Sequence, residues 1–108
     1  MGLLEKASLA SSQTAEGRIF QFFKTNKISN CIVYSEKGLK NLKASIPIIV
    51  DKIGTFISLP SGNFIILMKE SIDRELVSHR LHKSLKINPL LSMQTDNPKI
   101  LLSRIGKV

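Results

Sequence analysis

The order of the apolar runs constrains this chain more than any other feature of its sequence. Runs with helical spacing alternate with short β-branched runs in the order helix, strand, helix, strand, turn, strand, helix, strand, helix. Few of the 108 residues are left over as spacers between these runs. Because elements that alternate in this way bury their apolar sides against each other, the order predicts one α+β domain with a small, mostly antiparallel sheet.

Capping residues and apolar spacing locate the predicted helices. They are expected at 15–26, between Ser45 and Gly54, at 74–86 and at 98–105, each after a residue type that begins helices. The first helix carries Ile19, Phe22 and Phe23 on one stripe, which predicts that it packs on a sheet face. Residues 1–13 lack such a pattern and predict a flexible leader, so the single domain is expected at 14–108.

Four runs rich in β-branched residues predict the strands. They are expected at 30–35, 55–60, 63–70 and 87–94. The short polar link Ser61-Gly62 predicts a hairpin between the second and third strands. The first and third runs are the most apolar, which predicts the middle of the sheet. Pro60 and Pro89 predict that the other two strands lie at the edges, where a missing N–H does least harm.

The predicted elements form a βαββαβ core with an extra helix at each end of the chain. In the ferredoxin-like arrangement of such a core, the first and third strands lie in the middle. Both of these strands are apolar at consecutive rather than alternate positions, which indicates that both sheet faces are covered. The expected architecture is a ferredoxin-like or GAF/PAS-like three-layer sandwich whose N- and C-terminal helices cover the second face. A two-layer form that dimerises through this face is the alternative.

The chain is strongly basic, with a formal net charge of +8 and a pI of about 9.9. Such a charge favours nucleic acid or anionic lipid as a partner. However, 12 of the 16 basic residues are lysines spread along the chain, which indicates compositional bias, since phosphate-reading surfaces favour arginine. No run approaches the roughly 18–20 apolar residues of a membrane span. With no secretory signal pattern at the start, these features predict a cytoplasmic protein without a membrane partner.

The sequence contains no motif that is specific for a reaction, a cofactor or a metal. The single cysteine, Cys31, excludes an internal disulfide, and its place in a predicted strand indicates an inert buried thiol. The isolated glycines form neither a phosphate-binding loop nor a dinucleotide fingerprint. His79 and His82 lie three residues apart on the predicted helix 74–86, and basic neighbours indicate two solvated histidines rather than a metal site. We therefore predict no catalytic residues, no cofactor and no bound metal.

One surface of the predicted helix 74–86 concentrates positive charge. On a helical wheel it lies opposite the apolar residues Val77, Leu81 and Leu85. This basic face consists of His79, Arg80, His82, Lys83 and Lys86. It is a candidate surface for a protein partner or an anion, although a solvated helix face has the same composition.

These observations favour a non-catalytic, small cytoplasmic interaction or regulatory module of the signalling type. Its partner is expected to be a protein, either a second copy of the chain or a heterologous one. The alternative is a nucleic-acid-binding domain that uses the basic helix 74–86. That alternative lacks exposed aromatic residues interleaved with the basic ones, which single-strand binding surfaces use. A small enzyme that works through Cys31 or the histidines ranks third.

Overall fold

The computed structural model describes residues 14–35 and 53–108 of the chain. Within these ranges the helices are α1 (Ala15–Thr25), α2 (Arg74–Leu85) and α3 (Pro98–Ile105), and the strands are β1 (Ser29–Tyr34), β2 (Gly54–Ser58), β3 (Phe64–Lys69) and β4 (Pro89–Thr95). The predicted leader 1–13 and most of the helix predicted after Ser45 lie outside the described residues. None of the three described helices has the length and apolar character needed to cross a membrane.

Each described helix begins at the residue that the sequence predicted, directly after a capping side chain. The Thr14 hydroxyl accepts a hydrogen bond from an N–H in the first turn of α1 at 3.0 Å. The Asp73 carboxylate accepts two such bonds at 3.0 and 3.2 Å at the start of α2. The Asn97 side chain accepts one at 2.9 Å before α3. These side chains satisfy N–H groups that have no partner within the helix, which is why the sequence located the starts correctly.

The four strands form one antiparallel sheet in the order β2-β3-β1-β4. The predicted middle strands are therefore confirmed, and β2 and β4 lie at the edges of the described sheet. Ile32 at the centre of β1 lies opposite Ile66 of β3 on one side and Ser92 of β4 on the other. The complete βαββαβ order stays a prediction, because the connection between β1 and β2 lies outside the described residues.

The two prolines mark the edge strands in a different way from the one expected. Pro60 lies beyond β2, which ends at Ser58, and it occupies the turn to β3. Leu59 closes this turn, because its N–H donates to the Asn63 carbonyl at 2.8 Å and its own carbonyl accepts from the Gly62 N–H at 3.0 Å. Gly62 has a φ of 96°, which explains the glycine. Pro89 is the first residue of β4, so this strand begins two residues later than predicted.

Apolar side chains cover both faces of the sheet within the described chain. The first-face cluster contains the buried residues Ile32, Tyr34, Phe64, Ile66, Met68, Val77, Leu81 and Ile87. The second-face cluster contains Ile19, Cys31, Val33, Ile57, Leu59, Ile65, Leu67 and Leu101. Thus α2 packs on the first face, and α1 and α3 pack on the second. This confirms the prediction of two covered faces and removes the reason for a dimer through the second one.

The predicted packing of the first helix is confirmed, since Ile19 is fully buried in the second-face cluster and the half-buried Phe22 and Phe23 pack against it. Two other details of the predictions need correction. The C-terminal helix was predicted to cover the second face, but only part of its apolar residues do so, since Leu101 is buried whereas Ile100 is 49% exposed. Gly54 was expected to end a helix, but it begins β2, where an added Cβ would overlap the carbonyl oxygen of Leu67. Close approach of two strands therefore explains this glycine.

Candidate functional site

The five residues of the basic face lie together on the solvent side of α2 and its C-terminal cap. His79, Arg80, His82, Lys83 and Lys86 are all exposed. Val77 and Leu81 of the same helix are buried against the sheet, as the helical wheel predicted. Within the described part of the chain, no hydrogen bond or ion pair engages any of these five side chains. No described group therefore neutralises the charges of Arg80, Lys83 and Lys86.

Charge along α2 is divided between its two ends. Asp73 and Glu75 lie at the N-terminus, and His82 and Lys83 lie in the last turn. Both placements are favourable for the helix dipole, which carries partial positive charge at the N-terminus and partial negative charge at the C-terminus. Part of the basic face therefore has a structural explanation. Arg80 lies before the last turn, and the dipole accounts less well for its charge.

The basic face borders an apolar groove that the sequence did not reveal. The groove has a volume of about 280 Å³ and is lined by Ile53, Val77, Arg80, Leu81, Lys83 and Ser84. Val77 and Leu81 form its buried floor, whereas Arg80 and Lys83 are exposed at its rim. Because Ile53 precedes β2 and is distant in sequence from α2, helical spacing alone does not predict the groove.

Lys86 holds an unusual backbone conformation at the end of the basic face. It caps α2 with φ 59° and ψ 35°, and its N–H donates to the His82 carbonyl at 2.9 Å. It is the only non-glycine residue with positive φ in the described ranges. Glycine usually occupies this left-handed position because side chains are disfavoured there.

A buried polar cluster fixes the start of α2 to the sheet. Asn30 is 3% exposed, and its Nδ2 donates to the carbonyl oxygens of the turn 69–72 at 2.8–3.0 Å. Its Oδ1 accepts from Arg74 Nε at 2.9 Å, and Arg74 Nη1 donates to the Ser92 hydroxyl at 3.0 Å. Since these contacts satisfy buried polar groups across three strands and a helix, we assign the cluster a structural role.

The Cys31 thiol has the inert environment that its strand position predicted. It is fully buried, and its Sγ lies 3.6 Å from the Ser29 hydroxyl oxygen. Burial raises the pKa of Cys31 to about 11, and the Ser29 hydrogen bond and the Arg74 charge offset this only in part. The thiol is therefore protonated at neutral pH, where a cysteine nucleophile needs the thiolate.

Tyr34 carries a second buried titratable group, on the opposite face from Cys31. Burial raises the pKa of Tyr34, and the Ser78 hydroxyl lowers it in part. No group among the described residues completes a hydrogen bond of acceptable geometry to the phenol oxygen. The ring itself stacks on Phe64 with centroids 5.5 Å apart. The side chain therefore contributes mainly through its ring.

A second surface combines aromatic and basic side chains, and sequence reasoning missed it. A shallow depression of about 440 Å³ is lined by Phe20, Phe23, Lys24, Lys27, Asp96 and Pro98. The two phenylalanines are half-buried and both lysines are exposed. Helical spacing places Phe20, Phe23 and Lys24 near one another on α1, and Lys27 follows its C-terminal cap, but only the fold brings Asp96 and Pro98 beside them.

No set of metal ligands is assembled among the described residues, where His, Cys, Asp and Glu side chains form no group of three or more that is able to hold an ion. His79 and His82 remain exposed on α2 without a third ligand. Comparison of the chain with models of known protein families, with curated proteins and with solved structures found no match. Candidate sites are therefore judged on geometry alone.

Proposed function

We propose that this protein is a non-catalytic interaction or regulatory module that binds an acidic segment of a partner protein along α2. The observation that carries the proposal is the apolar groove with Arg80 and Lys83 at its rim. An ordinary solvated helix face has charge without an apolar recess beside it. A peptide-binding surface combines the two, because apolar anchors supply burial and the charges set orientation.

The chemistry of the groove defines the segment that fits it. Val77 and Leu81 form the buried apolar floor and Ile53 is half-buried beside them, so the groove suits a small apolar side chain. Carboxylates next to that side chain would meet Arg80 and Lys83, whose side chains engage no other described group. The expected ligand is therefore an amphipathic segment whose polar side is acidic.

Nucleic-acid binding is the second candidate, and one observation favours it. Although the residues described on the basic face of α2 include no aromatic side chain, the depression on α1 places Phe20 and Phe23 beside Lys24 and Lys27. Aromatic rings with adjacent cations are the usual means of binding single strands. Asp96 in the same depression opposes a phosphate, so this candidate ranks below the peptide.

For the fold, we infer the ferredoxin-like rather than the GAF/PAS-like form of the α+β sandwich. Support comes from the strand order, with β1 and β3 in the middle, and from α2, which connects β3 to β4 across one face of the sheet. The segment between β1 and β2 lies outside the described residues and does not enter this inference.

Synthetic peptides test the proposal directly. We expect a labelled peptide of about 16 residues, with leucines at helical spacing and glutamates elsewhere, to bind the whole chain at low salt. The double variant Arg80→Glu/Lys83→Glu should weaken binding roughly 10- to 100-fold, because each exposed ion pair is worth up to about 1 kcal/mol and the reversal replaces attraction with repulsion. Fluorescence anisotropy measures the affinity, and circular dichroism checks that the variant is folded.

The matched control reverses two lysines on the other face of the sheet. Lys24→Glu/Lys27→Glu changes the net charge by the same amount and should leave peptide binding nearly unchanged. An equal loss of peptide affinity in both double variants would show that binding depends only on the net charge, and it would reject the site on α2. Oligonucleotide binding at about 50 mM salt that Lys24→Glu/Lys27→Glu abolishes would instead establish the second candidate.

A further inference from the structure

The surface beside the apolar groove continues toward the start of α2 as one line of exposed side chains. Asp73, Leu76, Arg80 and Lys83 follow one another at intervals of three, four and three residues, which places them along one side of a helix. Asp73 is in helical register, because its carbonyl accepts a hydrogen bond from the Val77 N–H at 3.1 Å. All four side chains are exposed, and together they form the α2 stripe.

Leu76 gives the α2 stripe an apolar residue next to the groove. It is 47% exposed and is one of four large apolar side chains that are exposed in the described chain. It lies one helical turn before Arg80 and directly before Val77, which both line the groove. A ligand that fills the groove therefore covers Leu76 when it extends one turn toward the start of α2.

Charge changes sign along the α2 stripe. Arg80 and Lys83 are cationic at one end, and Asp73 is anionic at the other. Only Oδ1 of Asp73 accepts the capping bonds, at 3.0 and 3.2 Å, and no hydrogen bond within the described chain engages Oδ2. The Asp73 carboxylate therefore caps the helix and still presents one oxygen to a cation.

The surroundings of Asp73 keep this end of α2 acidic. Glu70 and Glu75 are exposed and line the same polar depression of about 270 Å³ as Asp73. Arg74 also lines it, but its guanidinium donates at 2.9 and 3.0 Å to side chains of β1 and β4. Three carboxylates therefore act with one arginine that is already engaged on the sheet.

We propose that the partner segment has two oppositely charged ends, with acidic side chains over Arg80 and Lys83, an apolar side chain on Leu76 and a basic side chain beside Asp73. This inference rests on the proposed function and adds the charge order of the segment to it. The stripe covers about 15 Å of helix, so a helical segment of about three turns matches its length. A uniformly acidic segment and a nucleic-acid strand both lack this charge order, because each would set negative charge against Asp73.

Two peptides of identical composition test the charge order on the whole chain. In the bipolar peptide, of about 12 residues, glutamates occupy one end, leucines the middle and a lysine the other end. In the mixed peptide the lysine lies among the glutamates. The bipolar peptide should bind about fivefold more tightly by fluorescence anisotropy at low salt, because it gains an ion pair and avoids a repulsion.

A double-mutant cycle locates the lysine of the bipolar peptide. Asp73→Asn removes the charge and keeps the cap, because Asn and Asp are equally effective capping residues. Replacing the peptide lysine by glutamine should weaken binding about threefold to the wild type and hardly at all to Asp73→Asn. Glu16→Gln, in the first turn of α1, is the matched loss of a carboxylate and should leave the effect of the lysine unchanged.

The apolar part of the stripe is tested by truncation. Leu76→Ala should weaken binding of the bipolar peptide about fivefold through lost burial. Ile100→Ala, at a residue that is 49% exposed on α3, is the matched control and should leave binding unchanged. Circular dichroism checks that each variant is folded.

The outcomes separate this inference from the proposed function on which it rests. If neither peptide binds the wild type, both are overturned. If the two peptides bind equally and the lysine contributes the same to the wild type and to Asp73→Asn, the charge order is wrong. The groove with Arg80 and Lys83 then still stands or falls with its own charge-reversal test. A Leu76→Ala variant that binds like the wild type places the ligand outside the α2 stripe and also overturns the inference.

Discussion

The two faces of the sheet are built from the same central strands but have different contents. Successive residues point to opposite faces, so Ile32 and Ile66 enter the first-face cluster while Val33 and Ile65 enter the second. The first face packs against α2, and the second against α1 and α3. Because both clusters draw alternate residues from the same two strands, β1 and β3 are apolar at every position from 31 to 34 and 64 to 68. The uninterrupted runs reflect two partners for each strand.

Buried aromatic rings distinguish the first face. Phe64 stacks on Tyr34 with ring centroids 5.5 Å apart, and its centroid lies 4.9 Å from that of Phe56. The buried residues of the second-face cluster are mainly aliphatic, and the half-buried rings of Phe22 and Phe23, which meet edge-on at 6.4 Å, pack against it. An apolar run therefore predicts how many faces of the sheet are covered. It does not predict which side chains cover them.

The largest expected loss of stability comes from a charge placed in the core, and it shows whether both faces of the sheet exclude water equally. Ile65→Asp and Ile66→Asp place a carboxylate on opposite faces of the same strand, at residues that are both 0% exposed. Each should remove most of the stability of a small domain, roughly 5 kcal/mol or more, because the charge has no partner in the core. Urea unfolding followed by circular dichroism measures the loss.

The control for this pair is Ser58→Asp, which adds the same group at an exposed position of β2. It should cost no more than about 1 kcal/mol. If Ile65→Asp folded cooperatively while Ile66→Asp did not, the second face would be open in solution. The packing of α1 and α3 on the sheet would then be wrong.

A smaller loss of stability is expected when a leucine is truncated in the helices that cover the two faces. Leu81 on α2 is 1% exposed and Leu101 on α3 is 0% exposed, so the same truncation is made on each side. Leu81→Ala and Leu101→Ala should each cost about 2–5 kcal/mol through lost burial and the cavity left behind. Leu76→Ala, at a residue that is 47% exposed, should change stability little. A near-neutral Leu101→Ala would show that α3 is only loosely attached.

Local chemistry explains how much of the fold the sequence predicted. Thr14, Asp73 and Asn97 determine the helix starts through bonds within four residues of themselves, so no tertiary information was needed. Gly54 was misassigned because its constraint comes from Leu67 on a neighbouring strand. An end signal for a helix and a close approach between strands both favour glycine, and only the fold distinguishes them.

The candidate sites were less predictable, for the same reason. The exposure of the five residues of the basic face on α2 follows from helical spacing, whereas their role as a binding surface stays a prediction. The groove beside it requires Ile53, and the depression on α1 requires Asp96 and Pro98, which the fold brings from distant parts of the chain. The hydrogen bond between Arg74 and Asn30 in the buried polar cluster also joins residues that share no local sequence pattern. Sequence spacing predicts single surfaces, whereas these recesses form between elements.

The smallest of the predicted losses of stability comes from the titratable groups that are buried on the two faces of the sheet. On the second face, the pKa of Cys31 is raised from 9.0 to about 11 by burial. Below pH 9 the thiol is protonated in both the folded and the unfolded chain, so its contribution to stability is complete there. As the pH rises from about 9 to 11, the unfolded chain loses this proton first, which favours unfolding. The wild type should therefore lose roughly 2–3 kcal/mol of stability relative to Cys31→Ala over that range.

Urea unfolding of both proteins at several pH values measures this difference in stability. Tyr34→Phe is the matched variant on the first face. Its difference from the wild type should begin only above about pH 10, because burial raises the pKa of Tyr34 from 10.0. If the wild type and Cys31→Ala lost stability in parallel, the thiol would be accessible to water, and the dry second face on which the comparison rests would be contradicted.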